Sequence, residues 1–239
     1  MSALIEVERI ATEAAQAGRE WAKRRADLII DEKSAGQLAS TADLELEKQI
    51  RTALQRTFPG DAVIGEEFGG NLGPSTSGWA IDPIDGTSNF LLGLPIWAIS
   101  IGYVERGVSV LGAVALPEFG LVLSAQENEG LRLNGATHSV RAPLKTVKII
   151  ALGENDFETG RDTDARAQTL RDQSYSVVRY RCAVYSLAMS ALGKLHGYIE
   201  NGCGLWDIAA AEIICREAGL NVSTSSPAMG RYFVDARWH

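Results

Sequence analysis

The string Asp82-Pro83-Ile84-Asp85-Gly86-Thr87 holds two carboxylates three residues apart, then a glycine and a hydroxyl, at the end of an apolar run. Pro83 fixes its own φ and biases Asp82 toward an extended backbone. Asp85-Gly86 supplies a turn, and residues 87–92 can open a helix with Asp85 or Thr87 near its N-cap. A helix start offers free N–H groups and the positive end of a dipole, which suits a phosphate. Two carboxylates beside that seat would repel an anion unless cations stood between them. Hard divalent cations with oxygen ligands resolve the conflict, and Mg²⁺ suits a phosphate that completes its coordination shell. Alone, the string also reads as a capped strand end followed by an ordinary turn.

Other carboxylates occupy comparable settings. Glu66-Glu67 follows a short apolar run and precedes a glycine-containing loop, which by itself describes a solvated surface pair. Asp207 follows Trp206 where a helical pattern begins, and Asp43 opens an earlier one. An acidic residue in a first helical turn also suits the helix dipole.

Read together, these segments resemble the inositol monophosphatase family, within the wider group of lithium-sensitive, Mg²⁺-dependent phosphatases. Gly65-Glu66-Glu67-Phe68 is similar to its GEE motif, and residues 82–90 to its DPxDGTxNF motif. Trp206-Asp207-Ile208-Ala209-Ala210-Ala211 resembles its WDxAA motif, followed by the expected Glu217-Ala218-Gly219. Ser40-Thr41-Ala42-Asp43 resembles the segment that brings an additional metal-ligating Asp. The resemblance covers roughly residues 5–220.

The resemblance implies an α+β, or α/β, layered α-β-α-β-α sandwich of the inositol monophosphatase and fructose-1,6-bisphosphatase type, commonly a homodimer. It implies a phosphoric monoester hydrolase that uses two or three Mg²⁺ ions, metal-activated water and no covalent phospho-enzyme, with inhibition by Li⁺. Glu66, Asp82, the backbone carbonyl of Ile84, Asp85 and Asp207 would ligate metal, and Asp43 would sit beside a further, weaker ion. Thr87, with Glu66 and with Asp43 nearby, would orient and deprotonate the attacking water. The substrate would meet Asp85, Gly86, Thr87, Ala183, Glu200 and Asp207, with the Gly86 and Thr87 N–H groups on phosphate oxygens and Glu200 on a hydroxyl. Ser88-Asn89-Phe90 and Glu200 point first to inositol monophosphate. Fructose 1,6-bisphosphate, histidinol phosphate and a 3′-phosphonucleotide stand behind it. A weakly active member acting as a binding or regulatory protein is the alternative from another class.

Two stretches depart from the family pattern. Arg181-Cys182-Ala183-Val184 stands where small residues such as Gly-Ser-Ala-Ala are usual. Arg181 is expected to pair with a surface carboxylate, with binding of a second anionic group as the alternative. Ala218-Gly219-Leu220 lacks the common second glycine.

The elements that must position these residues follow from pattern. Helices are predicted over 3–25, 43–54, 164–171, 184–192 and 205–218. Strands are predicted over 62–65, 79–81, 96–104, 108–116, 120–125, 175–180 and 195–200. Residues around Ser34, Gly36 and Ser40, and the polar stretch 69–78, read as loops. The tail from 221 onward gives no clear signal. Its Tyr232, Phe233 and Trp238 are expected either to pack on the body or to form a dimer contact.

Composition bounds the rest. The 239 residues, 46% apolar, suffice for one large domain or two closely packed halves, with a boundary near 145 giving 1–145 and 146–239. A net charge of −7 argues against nucleic acid as the main ligand but not against a small phosphate held through cations. Cys182, Cys203 and Cys215 are odd in number and form no CxxC, so packed, reduced thiols in a cytoplasmic protein are expected. His138, His196 and His239 show no zinc spacing. No signal peptide is evident, and the stretch 90–104 is too short and too interrupted to span a membrane.

Overall fold

A computed structural model describes residues 2–34, 37–72 and 76–239. Leu4, Val7, Ile10, Ala11, Ala14 and Ala15 recur every three or four residues and bury one face of α1 (Ala3–Lys23). The expected loop after it is an antiparallel ribbon, β1 (Ile30–Ser34) with β2 (Gln37–Ser40), and Gly36 lies outside the described residues. α2 (Thr41–Thr57) begins two residues before Asp43, because Ser40 is its cap. Asp43 closes the capping box by accepting from the Ser40 N–H at 2.8 Å.

β3 (Ala62–Gly65) runs parallel to β4 (Ser77–Asp85). β4 does not stop at residue 81: it continues through Asp82-Pro83-Ile84 to Asp85. Residues 73–75 of the expected polar loop are outside the described ones. Gly86 (φ 85°) is the N-cap of α3 (Thr87–Leu92), in place of Asp85 or Thr87. β5 (Ala98–Glu105), β6 (Val108–Leu116), β7 (Leu121–Gln126), β8 (Leu131–Leu133) and β9 (Ala136–Thr137) extend the sheet as an antiparallel meander, giving the order β3-β4-β5-β6-β7-β8-β9.

A second sheet follows. Its strands are β10 (Ile149–Leu152), β11 (Ser176–Val178), β12 (Gly197–Cys203), β13 (Asn221–Ala228) and β14 (Arg231–Arg237), in the order β11-β10-β12-β14-β13. The tail is thus a hairpin whose second arm lies against β12. β13 is an edge strand with most of its residues exposed, so no apolar alternation marks it. Tyr232, Phe233 and Trp238 are half-buried against this chain's own core, and Trp238 Nε1 donates to Ser190 O at 2.8 Å.

α4 (Gly160–Asp172) covers the outer face of the second sheet, around Ile150, Leu152 and Ile199. α5 (Ala183–Ala191) and α6 (Leu205–Ala218) fill the space between the sheets, while α1 and α2 cover the far face of the first. The layers are α-β-α-β-α, as the resemblance implies. Among the described residues, no helix is long and apolar enough to cross a membrane.

The seating of α6 depends on two glycines. Gly102 on β5 faces Gly112 on β6. A Cβ on Gly102 would lie 2.4 Å from Ala210 N, and one on Gly112 2.6 Å from Ala210 Cα. The bare strands therefore admit the helix backbone itself, and Ala209, Ala210 and Ala211 keep that contact thin. Ser100 Oγ donates to Trp206 O at 2.8 Å, which fixes the helix start and with it Asp207.

Candidate active site

In a regular strand, residues three apart face opposite sides. Asp82 and Asp85 nevertheless line one cavity of about 470 Å³. The pairing explains this: Asp82 stands opposite Ser100 and Asp85 opposite Ala98, so β4 carries one residue more than β5 across the interval. Such a bulge bends the strand and re-aims its side chains. Pro83, which has no N–H for a ladder, falls inside it. Asp82 Oδ1 accepts from Ile84 N at 2.9 Å, which tightens the turn.

Glu66, Glu200 and Asp207 reach the same cavity from the end of β3, from β12 and from the first turn of α6. Their proximity has an electrostatic signature. Asp82, fully buried, is pushed well above the ordinary carboxylate range by desolvation first, then by Glu66, Asp85, Asp207 and Asp43. Asp207 is raised likewise by burial, then by Asp85, Glu66 and Glu200, against the lowering effect of the Gly204 N–H, which donates to it at 2.7 Å. Asp85 is raised to about 7 by burial, opposed by donors from Cys182 and Val184 and reinforced by Glu200 and Glu66. Asp207 and Asp85 keep some exposed surface, yet protein surrounds them on most sides.

Among the described residues, no three Asp, Glu, His or Cys side chains close tightly enough to form a finished metal site. They form an open cluster of carboxylates, with Ile84 among the lining residues and its carbonyl 3.0 Å from Thr87 Oγ1. The nearby Cys182 and Cys203 thiols are pushed well above their usual range by burial first, then by Asp85 and Glu200 respectively, so they stay protonated. An all-oxygen set with unrelieved mutual repulsion fits Mg²⁺ or another hard divalent cation, and does not fit zinc.

Asp43 and Ala183 are not among the residues lining the cavity. Asp43 is fully buried one layer behind it. Its Oδ2 accepts from Ser40 N at 2.8 Å and Ser40 Oγ at 2.6 Å, and its Oδ1 lies 3.2 Å from Thr87 Oγ1. Burial raises it to about 6, against the Ser40 hydrogen bonds. Thr87 Oγ1 also lies 3.0 Å from Ile84 O, so the hydroxyl expected to relay to Glu66 has Asp43 and Ile84 as its acceptors. Ala183 opens α5, and the next residue, Val184, donates its N–H to Asp85 Oδ2 at 2.6 Å.

Glu200 also lines the cavity. Its Oε2 accepts from Tyr198 OH and from Cys203 Sγ, the latter at 3.1 Å, and its Oε1 accepts from Asn155 Nδ2 at 2.9 Å. These neutral donors fix the carboxylate without neutralising it. Cys182 Sγ donates toward Asp85 Oδ2 at 3.0 Å. The next residue back, Arg181, adopts φ 53°. For a residue with a Cβ, that conformation costs roughly 1 kcal/mol or more.

The model of the inositol monophosphatase family matches residues 3–237. The chain belongs to this family. Inositol-1-monophosphatase SuhB of Mycobacterium tuberculosis is 34% identical over 206 residues, 80% of this chain and 70% of that one. Fructose-1,6-bisphosphatase/inositol-1-monophosphatase of Aquifex aeolicus is 32% identical over 193 residues, 80% and 73% of the two chains. The crystal structure of extragenic suppressor protein suhB from Bartonella henselae aligns with a TM-score of 0.83 at 26% identity, covering 98% of this chain and 93% of that one. Members of the inositol monophosphatase family are phosphatases, and this chain is a phosphoric monoester hydrolase of that kind.

Within this chain, one organising residue lies outside the motifs. Glu47 on α2 is fully buried. It accepts from Glu67 N at 2.8 Å and Phe68 N at 3.2 Å, and it pairs with Arg51 at 2.7 Å. A Cβ on Gly65 would meet the Glu47 carboxylate at 2.2 Å, so glycine there makes room for it. Glu47 thereby holds the turn that presents Glu66. Glu47→Gln keeps the shape but loses the charge that Arg51 and the two N–H groups share. It is expected to raise the Mg²⁺ concentration needed for half-maximal activity by roughly 10- to 100-fold. Activity titrations in Mg²⁺ check this, and an unchanged midpoint would remove Glu47 from the site's support.

Proposed function

We propose that this phosphatase is Mg²⁺-dependent and acts on a small polyol phosphate of the inositol monophosphate kind. One observation supports the reading above all others: five carboxylates line a single cavity beside Gly86, Thr87 and Ser88, and their charges repel one another. Glu66, Asp82, Asp85, Asp207 and the Ile84 carbonyl would hold the cations, with Asp43 serving a further one. Bound there, the cations supply Lewis acidity at the phosphate and favour ionisation of water near neutral pH.

The chain's own groups do the rest. The Gly86 and Thr87 N–H groups hold phosphate oxygens. The Thr87 hydroxyl has one proton, which goes to Asp43 or to the Ile84 carbonyl, and its lone pairs then accept a hydrogen bond from the attacking water. Glu66 and Asp43 are the carboxylates that receive the water's proton. Glu200, fixed by three donors, accepts from a substrate hydroxyl, and Asp207 contacts the leaving group. Family membership supports a homodimer, a cytoplasmic location and inhibition by Li⁺ as parts of the same reading.

The test is phosphate release from inositol monophosphate, fructose 1,6-bisphosphate, histidinol phosphate and a 3′-phosphonucleotide, each with Mg²⁺ and with EDTA. Release only with Mg²⁺, and fastest from polyol esters, is expected. No release from any ester would leave a binding or regulatory role in its place.

A further inference from the structure

Two arginines line the cavity, and they differ in what they hold. Arg231 is engaged within the chain: Nη1 donates to Gly202 O at 3.0 Å and Nη2 lies 3.0 Å from Asp156 Oδ1. Arg181 makes no hydrogen bond, ion pair or ring contact with any described residue. The expected pairing with a surface carboxylate is therefore not formed among them.

Arg181 does not stand on a loose loop. On one side, Tyr180 O accepts from Asn89 Nδ2 at 2.8 Å. On the other, Cys182 Sγ and Val184 N both donate to Asp85 Oδ2, at 3.0 and 2.6 Å. The segment is thus fastened at both ends to the residues flanking Gly86 and Thr87. Between these anchors the backbone of Arg181 is left-handed, which glycine adopts freely and arginine resists. A merely solvated arginine gives no return for that strain. An arginine on a rigid base, lining a cavity beside five carboxylates and holding none of the described residues, is placed for a ligand.

We propose that Arg181 is a specificity-determining residue that binds a second anionic group, phosphate or carboxylate, on the polyol ester. This rests on the phosphatase reading above. The planar guanidinium matches either anion in a two-bond fork. Glu200, which lines the same cavity, would take a hydroxyl of the same substrate, so the pocket distinguishes polyols by charge as well as by shape.

The test compares wild type with Arg181→Gly, a residue suited to the local φ, on inositol monophosphate, a sugar bisphosphate and a phosphorylated sugar acid, all in saturating Mg²⁺. The ratio of kcat/KM for each doubly anionic ester to that for inositol monophosphate is expected to fall roughly tenfold or more, mainly through KM. Arg181→Lys should recover only part of it. A fall with the bisphosphate alone identifies phosphate as the second group, and a fall with the sugar acid alone identifies carboxylate. Turnover with both ratios unchanged overturns this assignment while leaving the phosphatase reading intact. No turnover of any ester by the wild type overturns both.

Discussion

Exchanging Asp85 for Asn is expected to cut Mg²⁺-dependent phosphate release by roughly 10²- to 10³-fold at limiting Mg²⁺, the scale for removing one partner of a desolvated charge pair. The amide oxygen can still accept from Val184 N and the Cys182 thiol, so the change is one of charge and not of shape. The same variant carries a second expectation, of opposite direction. In the folded protein Asp85 is raised from 3.8 to about 7, chiefly by burial, so its ionised form works against folding when no cation is present. The native state then holds the proton more tightly than the unfolded state does. Wild-type stability is therefore lost relative to the variant as pH rises from 3.8 through about 7, and the gap is constant above. In EDTA, Asp85→Asn should melt higher than wild type at neutral pH, and the two should converge in acid. Mg²⁺ should reverse the order. Equal melting temperatures across that range, with and without Mg²⁺, would remove Asp85 from the cation site.

Thr87→Ala is expected to lower kcat by roughly 10²-fold or more, the scale for a positioned proton-transfer group. The Mg²⁺ midpoint should move little, because the hydroxyl is not among the proposed ligands. Asp43 has both oxygens engaged, Oδ2 by Ser40 and Oδ1 by Thr87, so loss of the hydroxyl leaves Oδ1 buried without that donor. Thr87→Ser should keep most of the activity. If Thr87→Ala turned over at the wild-type rate, the route from water through Thr87 to Asp43 would be excluded.

Much of this site could be read from the sequence, because its ligand-bearing segments are short strings whose chemistry is local. Asp82 and Asp85, Glu66, and Asp207 each announce themselves beside a proline, a glycine or a tryptophan. Their convergence is implied by the family resemblance and not by the local pattern. It depends on a bulge in β4, which alternation alone places on opposite faces, and on the Gly102–Gly112 contact that seats α6. Glu47 was hidden because Glu47 and Arg51, four apart on a helix, look like an ordinary surface pair. Asn155, Tyr198 and Cys203 were hidden because their shared partner, Glu200, lies in a strand whose neighbours the pattern does not specify. The β13–β14 hairpin was missed since an exposed edge strand rich in Ser and Thr resembles a loop. The α5 start was nearly right, yet nothing in its pattern shows that Cys182 and Val184 would both donate to Asp85.

The acidic side chains of the cavity and of the layer behind it are spread between residues 43 and 207, and the last of them arrives only when α6 settles against the first sheet. Glu66, Asp82 and Asp85 already come together within the first sheet, and Glu200 and Asp207 join them from the second sheet and from α6. Part of the repulsion is therefore added only where α6 and the second sheet pack against the first. A cation held by the assembled cluster would offset that repulsion and favour this packing. On the metal-dependent reading proposed above, a bound cation would then stabilise the packing of the layers as well as support turnover.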